Sequence, residues 1–138
     1  MKFSRQLQCH FDQCDPAGVL FYGQAFTIAH QTIECFLQHI GISWKDWFDS
    51  PNWVIPVRQT EANFTHKLVA GEKFKAILQV FKSTKTNVGF QVRLVNEKGD
   101  TCAVVQSIHV FVSKGSGKKT SISKEFIHRM NRYLVDEK

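Results

Sequence analysis

The sequence predicts an α+β domain in which one long helix is wrapped by a large antiparallel β-sheet. Three observations carry that expectation. Residues 23–40 place Phe26, Ala29, Ile33, Phe36, Leu37 and Ile40 at helical spacing, a wide apolar stripe on one face. Between residues 74 and 112, runs of alternating apolar and polar residues follow one another as an antiparallel meander. Hydrophobic residues make up 43% of the 138, enough for a core and too many for a disordered chain, and the length suits a single domain over 1–138.

Taken in order, Phe3, Leu7, Cys9 and Phe11 alternate with Ser4, Gln6, Gln8 and His10, the period of a half-buried strand. Arg5 interrupts the apolar side, which marks an edge strand or a site rim. An Asp-Pro-Ala-Gly turn leads into the helix, and Gly41 supplies its stop. Residues 41–52, with Trp44, Trp47 and Phe48, read as an aromatic-rich loop. Residues 53–64 read as a strand with Pro56 near its start, where a missing ladder donor matters least. Gly71 opens the next strand, in which Phe74, Ala76, Leu78 and Val80 alternate. Val88, Phe90, Val92 and Leu94 repeat the pattern, and Asn96-Glu97-Lys98-Gly99-Asp100 is a hairpin loop. Cys102, Val104, Ile108, Val110 and Val112 form a long strand with Gln106 as its polar interruption. Residues 113–121, rich in Ser, Gly and Lys, read as a flexible connector, and Ser123 caps a last helix carrying Phe126, Ile127, Met130 and Leu134 on one face.

Composition narrows the function classes. No apolar run approaches the roughly 20 residues of a membrane span, and the alternating first residues do not resemble a signal peptide, so a cytoplasmic location and no membrane partner are expected. Cys9, Cys14, Cys35 and Cys102 form no CxxC pair and are expected as reduced thiols. Cys9, His10 and Cys14 match no usual zinc-ligand spacing, so neither metal nor cofactor is expected. The net charge is +6, and +4 of it falls from Ser113 onward. Such a tail suits a phosphate-bearing partner or simple solubility. Aromatic residues do not interleave with the basic stretch, which disfavours nucleic acid.

The segment FDQCDPAGVLFYGQAF, residues 11–26, is the candidate site. By residue type alone Asp15 is a turn former. The segment nonetheless resembles the signature of the 4-hydroxybenzoyl-CoA thioesterase family, hotdog-fold enzymes that hydrolyse acyl-CoA thioesters. The resemblance runs from residue 3 to about residue 112 in the same order of elements. The helix text AHQTIECF also resembles the 1,4-dihydroxy-2-naphthoyl-CoA hydrolases of the same superfamily.

The resemblance implies a hotdog fold and roles for named residues. Asp15 matches the catalytic carboxylate. Tyr22 matches the residue whose backbone N–H faces the thioester oxygen, with Gly23 beside it. Phe21 and His30 fall to substrate binding, and His30 stands where the hydroxybenzoyl enzymes carry a helix carboxylate. Lys82, Lys85 and Thr86, in KSTKTN, lie where the family places contacts to the CoA nucleotide. Arg58 and the Lys-rich connector are further candidates. Family members are dimers or tetramers of dimers with sites at subunit boundaries. A homotetramer is accordingly expected. Apolar groups on both faces of the last long strand, Val105 and Phe111 against Cys102, Val104 and Val112, point the same way.

The chemistry fits those residue types. Attack on a thioester builds charge on the carbonyl oxygen, and the free N–H groups of a helix N-terminus stabilise it. Preorganised donors of this kind are each worth about 3 kcal/mol. Gly23, lacking a Cβ, leaves room for close approach. An ionised Asp15 serves either as nucleophile, giving a mixed anhydride, or as general base on water. Cys14 is disfavoured as a nucleophile because the neighbouring carboxylate opposes its thiolate. Two other classes stay open at this point: a hotdog dehydratase, for which the helix offers only His30, and a non-catalytic binder of acyl-CoA or nucleic acid.

Overall fold

The computed structural model describes residues 1–135. Asp136, Glu137 and Lys138, part of the terminal charge balance, lie outside the described residues. The elements run β1 (Phe3–Gln8), a 3-10 turn (Phe11–Gln13), α1 (Tyr22–His39), α2 (Trp44–Phe48), β2 (Trp53–Val54), β3 (Val57–Phe64), β4 (Lys73–Ser83), β5 (Asn87–Asn96), β6 (Thr101–Val110), β7 (Val112–Ser113) and α3 (Lys124–Asn131). Five strands form one antiparallel sheet in the order β1-β4-β5-β6-β3. The sheet wraps α1, which is the hotdog arrangement.

Why α1 sits inside follows from its sequence. Ala25, Ile28, Ala29, Ile33, Phe36 and Leu37 are all buried. They meet the inward residues of the strands, among them Ala76, Leu78, Val88, Phe90 and Val92. Phe36, fully buried, packs edge-on to Phe90 at 6.0 Å and to Tyr133 at 4.8 Å. Side chains of that size each contribute about 2–3 kcal/mol by leaving water. The stripe is broader than the repeat of large apolar residues suggests, because Ala25, Ile28 and Thr32 join it. Arg5 faces inward from the edge strand β1. Its Nε donates to Thr32 Oγ1 at 3.0 Å and its Nη2 to the Ile28 carbonyl at 3.3 Å, so the charge enters the core side already hydrogen-bonded.

Several expectations about elements change. The first strand stops at Gln8, since the Gln13 N–H bonds to the His10 carbonyl and curls residues 11–13 into a 3-10 turn. The aromatic loop contains a helix, α2, capped by Ser43 Oγ on the Asp46 N–H and anchored by buried Trp47. Residues 53–64 divide at Ile55-Pro56: β2 leaves the main sheet to pair with β7, and β3 pairs with β6. The connector is not a loose tether. Ser113 N–H bonds to the Lys118 carbonyl at 2.8 Å, Gly117 N–H to the Ser113 carbonyl at 2.9 Å, and Thr120 N–H to the Phe111 carbonyl at 2.9 Å. Gly117 provides the left-handed residue that closes this turn. Ser123 caps α3 as expected, its hydroxyl accepting from the Phe126 N–H, while Leu134 falls beyond the helix.

Candidate active site

Asp15 begins a turn fixed largely by its own groups. Its N–H bonds to the Val19 carbonyl and its carbonyl accepts from the Gly18 N–H, both at 2.9 Å. Its Oδ1 accepts from the Ala17 N–H at 2.9 Å and the Val19 N–H at 3.4 Å. Gly18 is left-handed, which the tight return to Val19 requires. The turn is pinned outside itself as well, by Leu20 N–H on the Leu68 carbonyl and Ala70 N–H on the Gly18 carbonyl. One carboxylate oxygen is thus held in place, and no described residue donates to Oδ2.

The helix that follows starts without a cap. Phe21 is its N-cap residue and offers no side-chain acceptor. The Phe21 N–H is taken by the Gln13 carbonyl and the Gln24 N–H by the Phe21 carbonyl. Between them, the N–H groups of Tyr22 and Gly23 have no acceptor among the described residues. The other two α-helices have Ser caps. An uncapped N-terminus forgoes about 1 kcal/mol and leaves partial positive charge pointing outward.

These features meet in one cavity of about 580 Å³, bordered by Asp15, Phe21, Tyr22, Phe64, His66 and Leu68 among others. That volume suits a small-molecule ligand. Asp15, the first residue of α1 and an apolar wall therefore border a common space. The space above Gly23 is filled by the Phe21 ring: a Cβ there would lie 2.9 Å from a ring carbon. The close approach that the glycine permits in this structure is that of its neighbour. The Phe21 ring also packs on Tyr22, centroids 4.6 Å apart.

Phe64, His66, Leu68 and Ala103 were not among the sequence-derived candidates. They come from the end of β3, the chain after it and the start of β6, and no spacing in the sequence ties them to residue 15. His66 is positioned by its Nδ1, 3.1 Å from the Thr101 carbonyl. Cys14 does not border the cavity. Its sulfur lies 3.5 Å from that of Cys9, whose thiol is pushed up to about 12 by burial and then by its hydrogen bond with Cys14.

His30 lies elsewhere. It lines a second cavity of about 200 Å³ with Phe26, Ala29, Val105, Ser107 and His109. His109 is 3% exposed, and its imidazole is pushed down to about 4, first by burial and second by the charge of His30. Lys82, Lys85 and Thr86 are not brought to Asp15 within one chain. Lys73, at the start of β4, pairs with Gln8 close to the Asp15 turn, and Lys82 sits at the strand's other end, about 30 Å along it. Arg58 is exposed on β3 and borders neither cavity.

Residues 9–130 match the family model of the thioesterase-like superfamily. The chain belongs to that superfamily. Among curated relatives in the superfamily, a 1,4-dihydroxy-2-naphthoyl-CoA hydrolase of Rippkaea orientalis is 27% identical over 82% of this chain and 83% of its own. The corresponding hydrolase of Crocosphaera subtropica is 26% identical over 89% and 90%. Among solved structures, the 1,4-dihydroxy-2-naphthoyl-CoA thioesterase of Synechocystis superposes with a TM-score of 0.87 at 17% identity, covering 95% of this chain and 96% of that one. A Staphylococcus aureus protein solved with CoA superposes at 0.86 with 12% identity, covering 96% and 84%. As a thioesterase-like chain, it shares with these structures the wrapped helix described above.

Proposed function

We propose that this protein hydrolyses an acyl-CoA thioester to the free acid and CoA. The carrying observation is that Asp15 and the uncapped start of α1 border one cavity. Asp15, oriented by its Oδ1 bonds, attacks the carbonyl through Oδ2 or takes a proton from water there. The Tyr22 and Gly23 N–H groups receive the oxyanion, and its collapse breaks the C–S bond. In the first route water then hydrolyses the mixed anhydride to free acid and Asp15, and in either route the proton released from water passes to the CoA thiolate. The relatives' names point to a hydroxylated fused-ring acyl group as the first substrate to try.

The assembly is proposed to be a homodimer or a tetramer of dimers. β3 is an edge strand whose residues are exposed except for half-buried Ala62, and it carries Val57 and Phe64 into solvent. Such an edge is stable when it pairs with a second copy. In that assembly, the β4–β5 hairpin with Lys82, Lys85 and Thr86 reaches CoA phosphates across a subunit boundary.

The test is thiol release from a panel of aromatic and aliphatic acyl-CoAs. Asp15→Asn is expected to lose at least ~100-fold, the scale of removing a general base or nucleophile. An Asp15→Asn rate equal to that of the parent removes Asp15 from the mechanism. Absence of cleavage across the panel overturns the reading.

A further inference from the structure

The two cavities follow one another along the groove between α1 and the sheet, with no lining residue in common. On β6 the inward residues are Ala103, Val105, Ser107 and His109. Their partners on β3 are Phe64, Ala62, Thr60 and Val57. The Asp15 cavity uses the first rung, Ala103 and Phe64, with Tyr22 of α1. The second cavity uses the later rungs, with Phe26 and His30. Tyr22, Phe26 and His30 are spaced four apart and lie on one side of the helix, about 6 Å per step. A group attached to a thioester carbonyl at the Tyr22 N–H therefore extends towards the second cavity.

That compartment is apolar along its walls, with Phe26, Ala29, Ile33 and Val105, and polar at His30, Thr60, Ser107 and His109; of these, Thr60 already donates its hydroxyl to the Gln106 carbonyl and His30 is exposed. Its volume, about 200 Å³, exceeds the roughly 150 Å³ of an apolar cavity that takes up benzene. Ser107 Oγ lies 2.9 Å from His109 Nε2. Every side-chain nitrogen or oxygen sealed from solvent has a partner among the described residues. His109 Nδ1 has no hydrogen-bond partner among the described residues, and His109 borders the cavity.

We infer that the Ser107–His109 pair is the specificity-determining end of the acyl compartment, selecting an aromatic acyl group that carries a hydroxyl away from its thioester. The inference rests on the thioesterase reading and assigns a role to two residues which that reading does not use. A neutral imidazole with Nε2–H donating to Ser107 Oγ presents Nδ1 as an acceptor to a phenolic O–H. The rings of Trp47 and Phe90, 6.4 Å and 5.3 Å from His109, fix its orientation. A ring without the hydroxyl leaves a buried nitrogen desolvated and unpaired, which is the basis of discrimination.

The experiment compares kcat/KM for 4-hydroxy-2-naphthoyl-CoA and 2-naphthoyl-CoA in the parent, Ser107→Ala and His109→Phe. The parent is expected to favour the hydroxylated ester at least ~10-fold, and both variants to bring the ratio towards one. A ratio is insensitive to a uniform loss from partial misfolding, and Ser107→Ala removes a single heavy atom. A second arm titrates the two free acids into the parent while following the ¹⁵N shift of the His109 imidazole. Only the hydroxylated acid is expected to move it. Equal ratios in parent and variants, or equal shifts with both acids, overturn the inference. If no thioester is cleaved, the function proposed above fails and the acid titration alone decides the role of this pair.

Discussion

The two ends of the groove are built by different means. At the Asp15 end the working groups are backbone N–H donors and one half-exposed carboxylate, held by a turn and by the start of a helix. At the His109 end they are side chains on a β-strand, a half-buried Ser107 and a His109 nearly sealed from water and packed among aromatic rings. The first end forgoes stability, since α1 begins on an uncapped phenylalanine while α2 and α3 have serine caps. The second confines a titratable group where its charged form is disfavoured. The difference separates reactivity from recognition. Donors aimed at a developing charge must stay unsatisfied until the substrate arrives, whereas a reader of acyl shape gains from rigid packing.

The largest expected effect of that contrast on stability lies at the sealed end. His109 titrates near 4 in the folded protein against about 6.5 when unfolded, so between these values the unfolded chain binds more protons. Stability is complete above pH 6.5 and is lost as pH falls towards 4, by about 3 kcal/mol over the full range. Urea melts at several pH values are expected to show that slope, and His109→Phe to flatten it. A slope unchanged in the variant places the proton uptake elsewhere.

A smaller effect lies at the open end. Phe21→Ser is expected to cap α1 and raise stability by about 1 kcal/mol while slowing thiol release, because the new hydroxyl occupies donors meant for the oxyanion. Ser123→Ala, at the start of α3, is expected to cost about 1 kcal/mol with no change in rate. If both substitutions shift stability alone, the missing cap on α1 has no catalytic meaning.

What the sequence revealed follows the same division. Asp15, Tyr22 and Gly23 lie within nine residues of one another, so a local motif exposes them. Strand periodicity exposes the inward residues of β4 and β5, Phe74 and Val92 among them, but on β6 it follows Cys102, Val104 and Ile108 while the inward residues are Ala103, Val105, Ser107 and His109. Gly41 and Ser123 mark helix ends by local chemistry. Ser107 was illegible because strand register, not spacing, brings it to α1, and His66 because it lies in the chain after β3, held by the Thr101 carbonyl. His109 reads in the sequence as one polar residue in a β-run, and its role depends on Phe90 and Trp47 from other elements. The connector misled for a related reason: Ser, Gly and Lys suggest mobility, but Ser113, Gly117 and Lys118 pair within the turn, and Lys114 and Thr120 bond to Asn52 and Phe111 outside it. The β4–β5 hairpin sits at the far end of a strand from Asp15, a separation that sequence order does not convey.

The most direct measurement is kcat for acyl-CoA hydrolysis by Tyr22→Pro beside Tyr22→Ala. Proline is well tolerated at the first position of a helix, and Phe21 already has the extended backbone, φ −66° and ψ 133°, that a following proline demands. The proline variant therefore deletes one N–H while keeping the helix, and the alanine variant deletes the ring while keeping the N–H. Far-UV circular dichroism is expected to match the parent in both, with kcat falling ~100-fold or more only in Tyr22→Pro. Equal rates in the two variants would contradict the assignment of the α1 N-terminus as the oxyanion site.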